Sequence, residues 1–118
     1  MKNKTMVWIG AGIVVVVLLY FFVGKDNGGG DGEYDAFAQC LTDSGATMYG
    51  TEWCSHCKEQ KKRFGSSFEF VDYVDCDKNK DTCNAEGISG YPTWKINGES
   101  YPGTQQLTRL GELTGCEL

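Results

Sequence analysis

The strongest constraint on the fold of this chain is a pair of cysteines three positions apart, Cys54 and Cys57, in the segment WCSHC. A short apolar run, residues 46–51, precedes the pair, and a helix-prone run, residues 55–65, follows it. We therefore expect Cys54 at a helix N-terminus, where free backbone N–H groups and the helix dipole stabilise a negative charge and let the thiol ionise more readily. Cys57, one turn further on, should be more buried and close enough to form a disulfide.

This arrangement suits thiol–disulfide exchange. An exposed Cys54 thiolate would attack or be attacked, and Cys57 would resolve the mixed disulfide. His56 could lend positive charge or a hydrogen bond to the Cys54 thiolate, which would make the disulfide a stronger oxidant. The alternative for His56 is an ordinary surface histidine. Trp53 would provide an apolar surface around the site.

An uncharged apolar run, residues 7–23, predicts a transmembrane anchor, at the short end of the roughly 17–25 residues that span a bilayer as a helix. Lys2 and Lys4 precede it, whereas Asp26 directly follows Lys25. This asymmetry favours a cytoplasmic N-terminus, residues 1–6, and an extracytoplasmic remainder. A cleaved signal peptide is the alternative, but the run is not followed by an A-x-A-like site. The glycine-rich residues 24–33 predict a flexible linker, and residues 34–118 a single domain.

The net charge of the exported part limits the classes of partner that it can bind. All 16 acidic residues follow the apolar run, whereas two of the 11 lysines and arginines precede it, so nine cations face 16 anions, a net charge of −7. Such a surface argues against binding to nucleic acid and to anionic lipid.

All six cysteines also follow the apolar run, and an even number outside the cytosol predicts disulfides. The four cysteines outside the WCSHC segment can pair in three ways. We favour Cys76–Cys83, which closes a short loop, with Cys40–Cys116, which joins the two ends of the domain. The functional alternative is that Cys76 and Cys83 relay electrons as a second redox pair.

Helix and strand patterns alternate along residues 34–118. Helices are predicted over residues 34–45, 55–65, 80–87 and 104–115, the last with Thr104 as its N-cap; strands over 46–51 and 68–77; and a hairpin over 92–101 that turns at Asn97-Gly98. A parallel strand pair linked by a helix and followed by a hairpin predicts an α/β fold, a mixed sheet with helices on both faces.

The segment WCSHC, together with GYPT at residues 90–93, resembles the thioredoxin superfamily over roughly residues 36–114. The resemblance implies a thioredoxin-like fold in which a cis-proline loop, Tyr91-Pro92, packs against the cysteines and Gly103 forms the third side of a substrate groove. The Ser-His pair between the cysteines is more similar to the Gly-His of protein disulfide isomerases and the Pro-His of periplasmic disulfide oxidases than to the Gly-Pro of reducing thioredoxins.

Residues 37–65 and 90–115 are similar to thioredoxin-like domains associated with bacterial and archaeal vitamin K epoxide reductase homologues. This resemblance implies a membrane-anchored, extracytoplasmic oxidoreductase that oxidises protein thiols through Cys54 and Cys57 and is reoxidised by such a membrane partner. The chain has no cofactor motif, so any quinone would belong to the partner. The alternatives are a reductase or disulfide isomerase, and a disulfide-stapled peptide-binding module without redox activity.

One position departs from the thioredoxin pattern. Met48 stands where typical thioredoxins bury an aspartate, and Tyr73 stands near the position of its lysine partner. Glu52 is close in sequence, but its place before Trp53 predicts exposure. The usual proton relay for Cys57 is therefore missing or rebuilt, which favours oxidation over reduction.

Zinc is the main chemical rival, because Cys54, His56, Cys57 and a third cysteine could form a tetrahedral site. A second C-x-x-C or an H-x-x-H is absent from the sequence, so we predict no metal. A purely structural bridge between Cys54 and Cys57 is the other alternative, but the preceding tryptophan and the later GYPT fit a redox site better.

Overall fold

The computed structural model describes residues 32–118. The predicted cytoplasmic N-terminus, the anchor and most of the linker lie outside the described residues, so the proposed boundaries of these segments stay predictions. Within residues 32–118, no helix has the length and apolar character needed to cross a bilayer.

Helices and strands alternate in the predicted order. The helices are α1 Asp35–Asp43, α2 Ser55–Phe64, α3 Lys80–Ala85 and α4 Leu107–Thr114, and the strands are β1 Ala46–Gly50, β2 Tyr73–Asp75, β3 Thr93–Ile96 and β4 Glu99–Pro102. A 3-10 helix, Gly65–Phe70, follows α2.

The strands form one mixed sheet in the order β2-β1-β3-β4. Strand β1 pairs in parallel with β2, whereas β3 is antiparallel to both β1 and β4. Met48, in the central strand β1, therefore lies between Tyr73 on one side and Trp94 on the other. This topology confirms the predicted mixed sheet. A short connection, residues 51–54, leads from the end of β1 to the start of α2.

Helices cover both faces of this sheet. On one face, side chains of α1, α2 and α4, including Leu41, Phe64 and Leu110, pack around the fully buried Trp94. The opposite face carries a smaller cluster, in which Cys83 of α3 lies with Tyr49. Alternate residues of a strand point to opposite faces, so neighbouring residues of β1 supply both clusters.

The predicted strand over residues 68–77 is wrong at its start, because the strand in the structure comprises only residues 73–75. Phe68 instead lies in the 3-10 helix, where its ring meets Phe64 and Tyr73 edge-on, with centroids 5.9 and 5.6 Å apart. A compact turn places these three rings in one aromatic cluster, whereas an extended segment would carry Phe68 away from Phe64.

The predicted N-cap of the last helix is also wrong. Helix α4 begins at Leu107, and its N-cap, Gln106, makes no capping hydrogen bond through its side chain. The Thr104 hydroxyl instead donates to the backbone carbonyl of His56 at 3.3 Å. Thr104 thus joins the start of α2 to the loop before α4.

Two disulfides, Cys40–Cys116 and Cys76–Cys83, follow the favoured pairing. The first ties α1 to the segment after α4 across a sequence separation of 76. Closing so long a loop restricts the unfolded chain and contributes about 2–4 kcal/mol. Small domains have a total stability of about 5–15 kcal/mol, so this bridge is a major stabilising element.

Candidate active site

Cys54 is the N-cap of helix α2. Its Sγ accepts a hydrogen bond from the backbone N–H of Cys57 at 3.2 Å. The sulfur therefore occupies the place of a capping oxygen, at the end of the helix where backbone N–H groups and the dipole favour negative charge. This is the position predicted from the sequence.

Both cysteines are free thiols, and Cys54 is more enclosed than expected. Cys54 is 7% exposed and Cys57 is fully buried. The order of exposure agrees with the prediction, but the expectation of an exposed Cys54 is wrong. The loop at Tyr91 covers this sulfur, and the Cys54 thiol donates to the Tyr91 carbonyl at 3.6 Å.

Cys57 lies directly above the backbone of Gly50. A Cβ at Gly50 would lie 2.8 Å from the Cys57 sulfur, so only glycine leaves room for this thiol. Burial, together with the hydrogen bond with Cys54, raises the pKa of the Cys57 thiol to about 12. Cys57 is therefore the protonated, inward-facing partner of the pair.

Three segments that are distant in sequence meet around the cysteines. Tyr91-Pro92 is a cis peptide, and Pro92 is fully buried. The N–H of Gly103 donates to the Pro92 carbonyl at 2.7 Å, in a turn where Gly103 has a φ of +91°. The structure therefore brings the predicted groove residues Tyr91, Pro92 and Gly103 together with the start of α2.

Gln60 is a site residue that our sequence analysis missed. Its fully buried amide accepts hydrogen bonds from Trp94 Nε1 at 3.0 Å and from the Gln105 N–H at 2.7 Å, and it donates to the Gln105 carbonyl at 3.0 Å. These bonds tie α2 to β3 and to the loop before α4. The signal available in the sequence was the helical spacing of Cys57, Gln60 and Phe64, which places a polar residue on the buried face of α2.

Trp53 and His56 form the exposed rim of the site. Trp53 is 67% exposed, its ring meets Tyr91 edge-on, and its Nε1 donates to the Asp77 carboxylate at 2.7 Å. The His56 imidazole lies outside the cysteine pair, with Nδ1 3.9 Å from Oε2 of Glu59. Within the described residues it makes no hydrogen bond to Cys54, so its tuning role stays a prediction.

An apolar side chain, that of Met48, occupies the position of the missing aspartate. Met48 is fully buried and pairs in register with Tyr73. Glu52 is exposed, as expected, and forms an ion pair with Lys61 at 3.1 Å. Within residues 32–118, no group of three His, Cys, Asp or Glu side chains is arranged to hold a metal ion.

Two thiols at a helix N-terminus beside a buried proline loop define a dithiol–disulfide exchange site. The thioredoxin family model matches residues 34–112, and the chain belongs to this family. The described unit is therefore a thiol–disulfide oxidoreductase domain of the thioredoxin family.

Curated relatives agree with this assignment. Thiol-disulfide oxidoreductase LTO1 of Arabidopsis thaliana is 40% identical over 70% of this chain and 24% of its own length. Protein disulfide isomerase-like 2-2 of Oryza sativa is 34% identical over 64% of this chain and 24% of its own length. The chain thus spans about a quarter of the length of these relatives. A solved Plasmodium falciparum thioredoxin is 23% identical, with a TM-score of 0.47 over 66% of this chain and 89% of that one.

Proposed function

We propose that the full chain is a membrane-anchored, extracytoplasmic thiol–disulfide oxidoreductase that oxidises the thiols of substrate proteins. One observation carries this proposal: a free dithiol, Cys54 and Cys57, lies in a small unit that also contains two disulfides and follows an uncharged apolar run. Structural disulfides persist in oxidising compartments outside the cytosol. Thiol oxidation is a reaction that such a site can perform there.

The proposed reaction starts from the Cys54–Cys57 disulfide. A substrate thiolate attacks Cys54 Sγ, a mixed disulfide forms, and Cys57 leaves as a thiolate that takes up a proton. A second substrate thiolate then attacks the substrate sulfur of the mixed disulfide, and Cys54 leaves as a thiolate. The substrate gains a disulfide, and its two electrons remain on the Cys54–Cys57 dithiol.

The surroundings of Cys54 support the oxidation of substrate thiols. The hydrogen bond from the Cys57 N–H and the α2 N-terminus stabilise negative charge on the departing Cys54 sulfur. Stabilising this thiolate favours the reduced dithiol and makes the disulfide a stronger oxidant. In the proposal, an extended substrate pairs with the backbone beside Tyr91 and Pro92, with Trp53, Gly103 and His56 around the groove.

A continuous cycle needs an electron acceptor for the dithiol. We propose a membrane partner of the vitamin K epoxide reductase type, on the strength of the similarity at residues 37–65 and 90–115. Its own cysteines would take the two electrons from Cys54 and Cys57 by disulfide exchange and pass them to a quinone. No cofactor is assigned to this chain.

A disulfide isomerase is the second candidate, because relatives such as the one in rice are named protein disulfide isomerases. An isomerase and an oxidase share the attack at Cys54, so their active sites are alike. They differ in the stability of the disulfide relative to the reduced dithiol, and the reduction potential measures this difference.

Anchoring and compartment are tested in cells that express the full chain. We expect the protein to stay with membranes after an alkaline wash, and protease added outside the cytoplasmic membrane to digest residues 34–118. Acid quenching followed by thiol labelling should find Cys54–Cys57 largely oxidised. The matched control lacks residues 7–23 and should be soluble, protected from protease and reduced. A full-length chain that behaves like this control would contradict the proposal.

A further inference from the structure

The buried thiol of Cys57 must gain or lose negative charge in every exchange cycle. It leaves as a thiolate when a substrate attacks Cys54, and it attacks as a thiolate when it resolves a mixed disulfide. Burial opposes this charge, because the charged form loses its hydration. The position of the missing aspartate, Met48, contributes no group that could help.

A cation lies one helical turn beyond Cys57 on the same side of α2. Lys61 Nζ lies 4.1 Å from the centroid of the Tyr73 ring and 5.5 Å from that of Phe68. The Glu52 carboxylate forms an ion pair with Lys61 Nζ at 3.1 Å. The Lys61 side chain is 23% exposed, so water screens it less than the other charges on this helix.

Tyr73 connects this cation to the buried sulfur. The point where a Cβ on Gly50 would lie is 2.8 Å from the Cys57 sulfur and 3.4 Å from Cε2 of Tyr73. The sulfur and the ring therefore line the same space, and the Lys61 ammonium lies on the ring. Because the Lys61 side chain is only 23% exposed, its charge acts through an effective dielectric constant nearer about 20 than that of bulk water.

We propose that Lys61, held by Glu52 on the Tyr73 ring, is a positioning residue that stabilises the Cys57 thiolate in a site that lacks the usual buried acid. The proposal concerns dithiol exchange at Cys54 and Cys57, whichever direction the protein uses in the cell. It does not depend on the anchor or on the membrane partner.

The neighbouring charges agree with this role. The titratable groups around the space are Cys54 at the N-cap of α2, Lys61 on α2, Glu52 before the helix, and Tyr73 and Asp75 of β2. Burial and the hydrogen bond with Cys54 raise the pKa of Cys57, whereas a backbone hydrogen bond with Thr51 and, to a smaller extent, the positive charge of Lys61 lower it. Burial also raises the pKa of Tyr73 above its ordinary value, so the ring stays neutral at physiological pH.

The step that isolates Cys57 is its attack on a mixed disulfide at Cys54. With Ellman's reagent and the reduced full chain, Cys54 attacks first, releases one thionitrobenzoate and keeps the other as a mixed disulfide. The Cys57 thiol then loses its proton to solvent, and its thiolate attacks Cys54 Sγ. The Cys54–Cys57 bond forms and the second thionitrobenzoate leaves with the electron pair of the broken bond. Each release of thionitrobenzoate is followed in stopped flow as a separate phase of increasing absorbance.

Lys61→Met keeps the aliphatic stem on the Tyr73 ring and removes the charge. Losing one positive charge near the buried sulfur is expected to lower the thiolate fraction about tenfold, at an effective dielectric constant of about 20. A more basic thiolate is also a stronger nucleophile, which raises the rate constant of its attack about threefold. We therefore expect the second phase to slow about threefold at neutral pH, with its pH–rate profile displaced to higher pH and its first phase unchanged.

Two variants on the same helix separate charge from packing. Lys62→Met removes an equal charge from an exposed neighbour and should leave both phases unchanged. Lys61→Arg keeps the charge and should restore the second phase and its pH profile. The proposal is overturned if Lys61→Met matches Lys62→Met, if Lys61→Arg fails to restore the rate, or if both phases slow equally. Circular dichroism checks that each variant is folded.

Discussion

Replacing Cys54 with serine is expected to abolish disulfide transfer, lowering the rate at least about 10³-fold, because the attacking or attacked sulfur is lost. Helix α2 should remain intact, since a serine oxygen also accepts the N-cap hydrogen bond from the Cys57 N–H. The measurement is the oxidation of a reduced, unfolded disulfide protein by the oxidised full chain. The free thiols of the substrate are counted over time.

The matched control for this variant is Ser55→Ala, an exposed neighbour at the start of the same helix. It should retain activity close to that of the unmodified chain. Retention of full transfer by Cys54→Ser would show that the sulfur at this position is not the reacting atom, and the exchange mechanism would fail.

Replacing Cys57 with serine is expected to trap mixed disulfides between Cys54 and its partners. With no thiolate at position 57 to attack Cys54, the intramolecular resolving step is lost, and we expect the complexes to persist at least about 100-fold longer. Serine is close in size to cysteine and fits above Gly50, although its hydroxyl is buried. Complexes are measured by non-reducing electrophoresis and mass spectrometry.

The Cys54→Ser/Cys57→Ser double variant provides the control for trapping, because it has neither thiol of the site. It should form no reducible complexes. Equal amounts of complex in the double variant would assign the trapped bonds to another cysteine, and the assignment of Cys54 as the attacked sulfur would be wrong.

The part of the site that the sequence predicts is local. The apolar run before WCSHC and the helical run after it place Cys54 at a helix N-terminus, and Cys57 one turn further on, without any distant contact. The thioredoxin resemblance added the proline loop and Gly103, which composition and spacing alone do not identify. The hairpin at Asn97-Gly98 was predictable for the same local reason, since both residues adopt positive φ there.

The parts that were missed depend on residues far apart in the chain. Cys54 is covered by the Tyr91 carbonyl, 37 residues further along the chain. The Gln60 amide forms its hydrogen bond with Gln105, 45 residues further along the chain. A helical pattern shows which face is buried, but it does not show which backbone groups will meet that face. The start of the predicted strand at Phe68 failed because alternating aromatic residues also suit a compact turn that packs rings together.

The role assigned to Lys61 belongs to the same class of missed features. In the sequence, Lys61 is one of four cations on the same basic helix. The fold distinguishes it from Lys58, Lys62 and Arg63 by the Tyr73 ring beneath it and by Glu52 beside it. Neither contact follows from helical periodicity.

The most direct test of the proposed oxidising function is the reduction potential of Cys54–Cys57 in the full chain, measured by equilibration with glutathione buffers and thiol labelling of the two cysteines. We expect a value of about −200 mV or above, in the range of proteins that form disulfides. A value near about −270 mV or below would place the site with reducing thioredoxins and contradict the oxidase proposal.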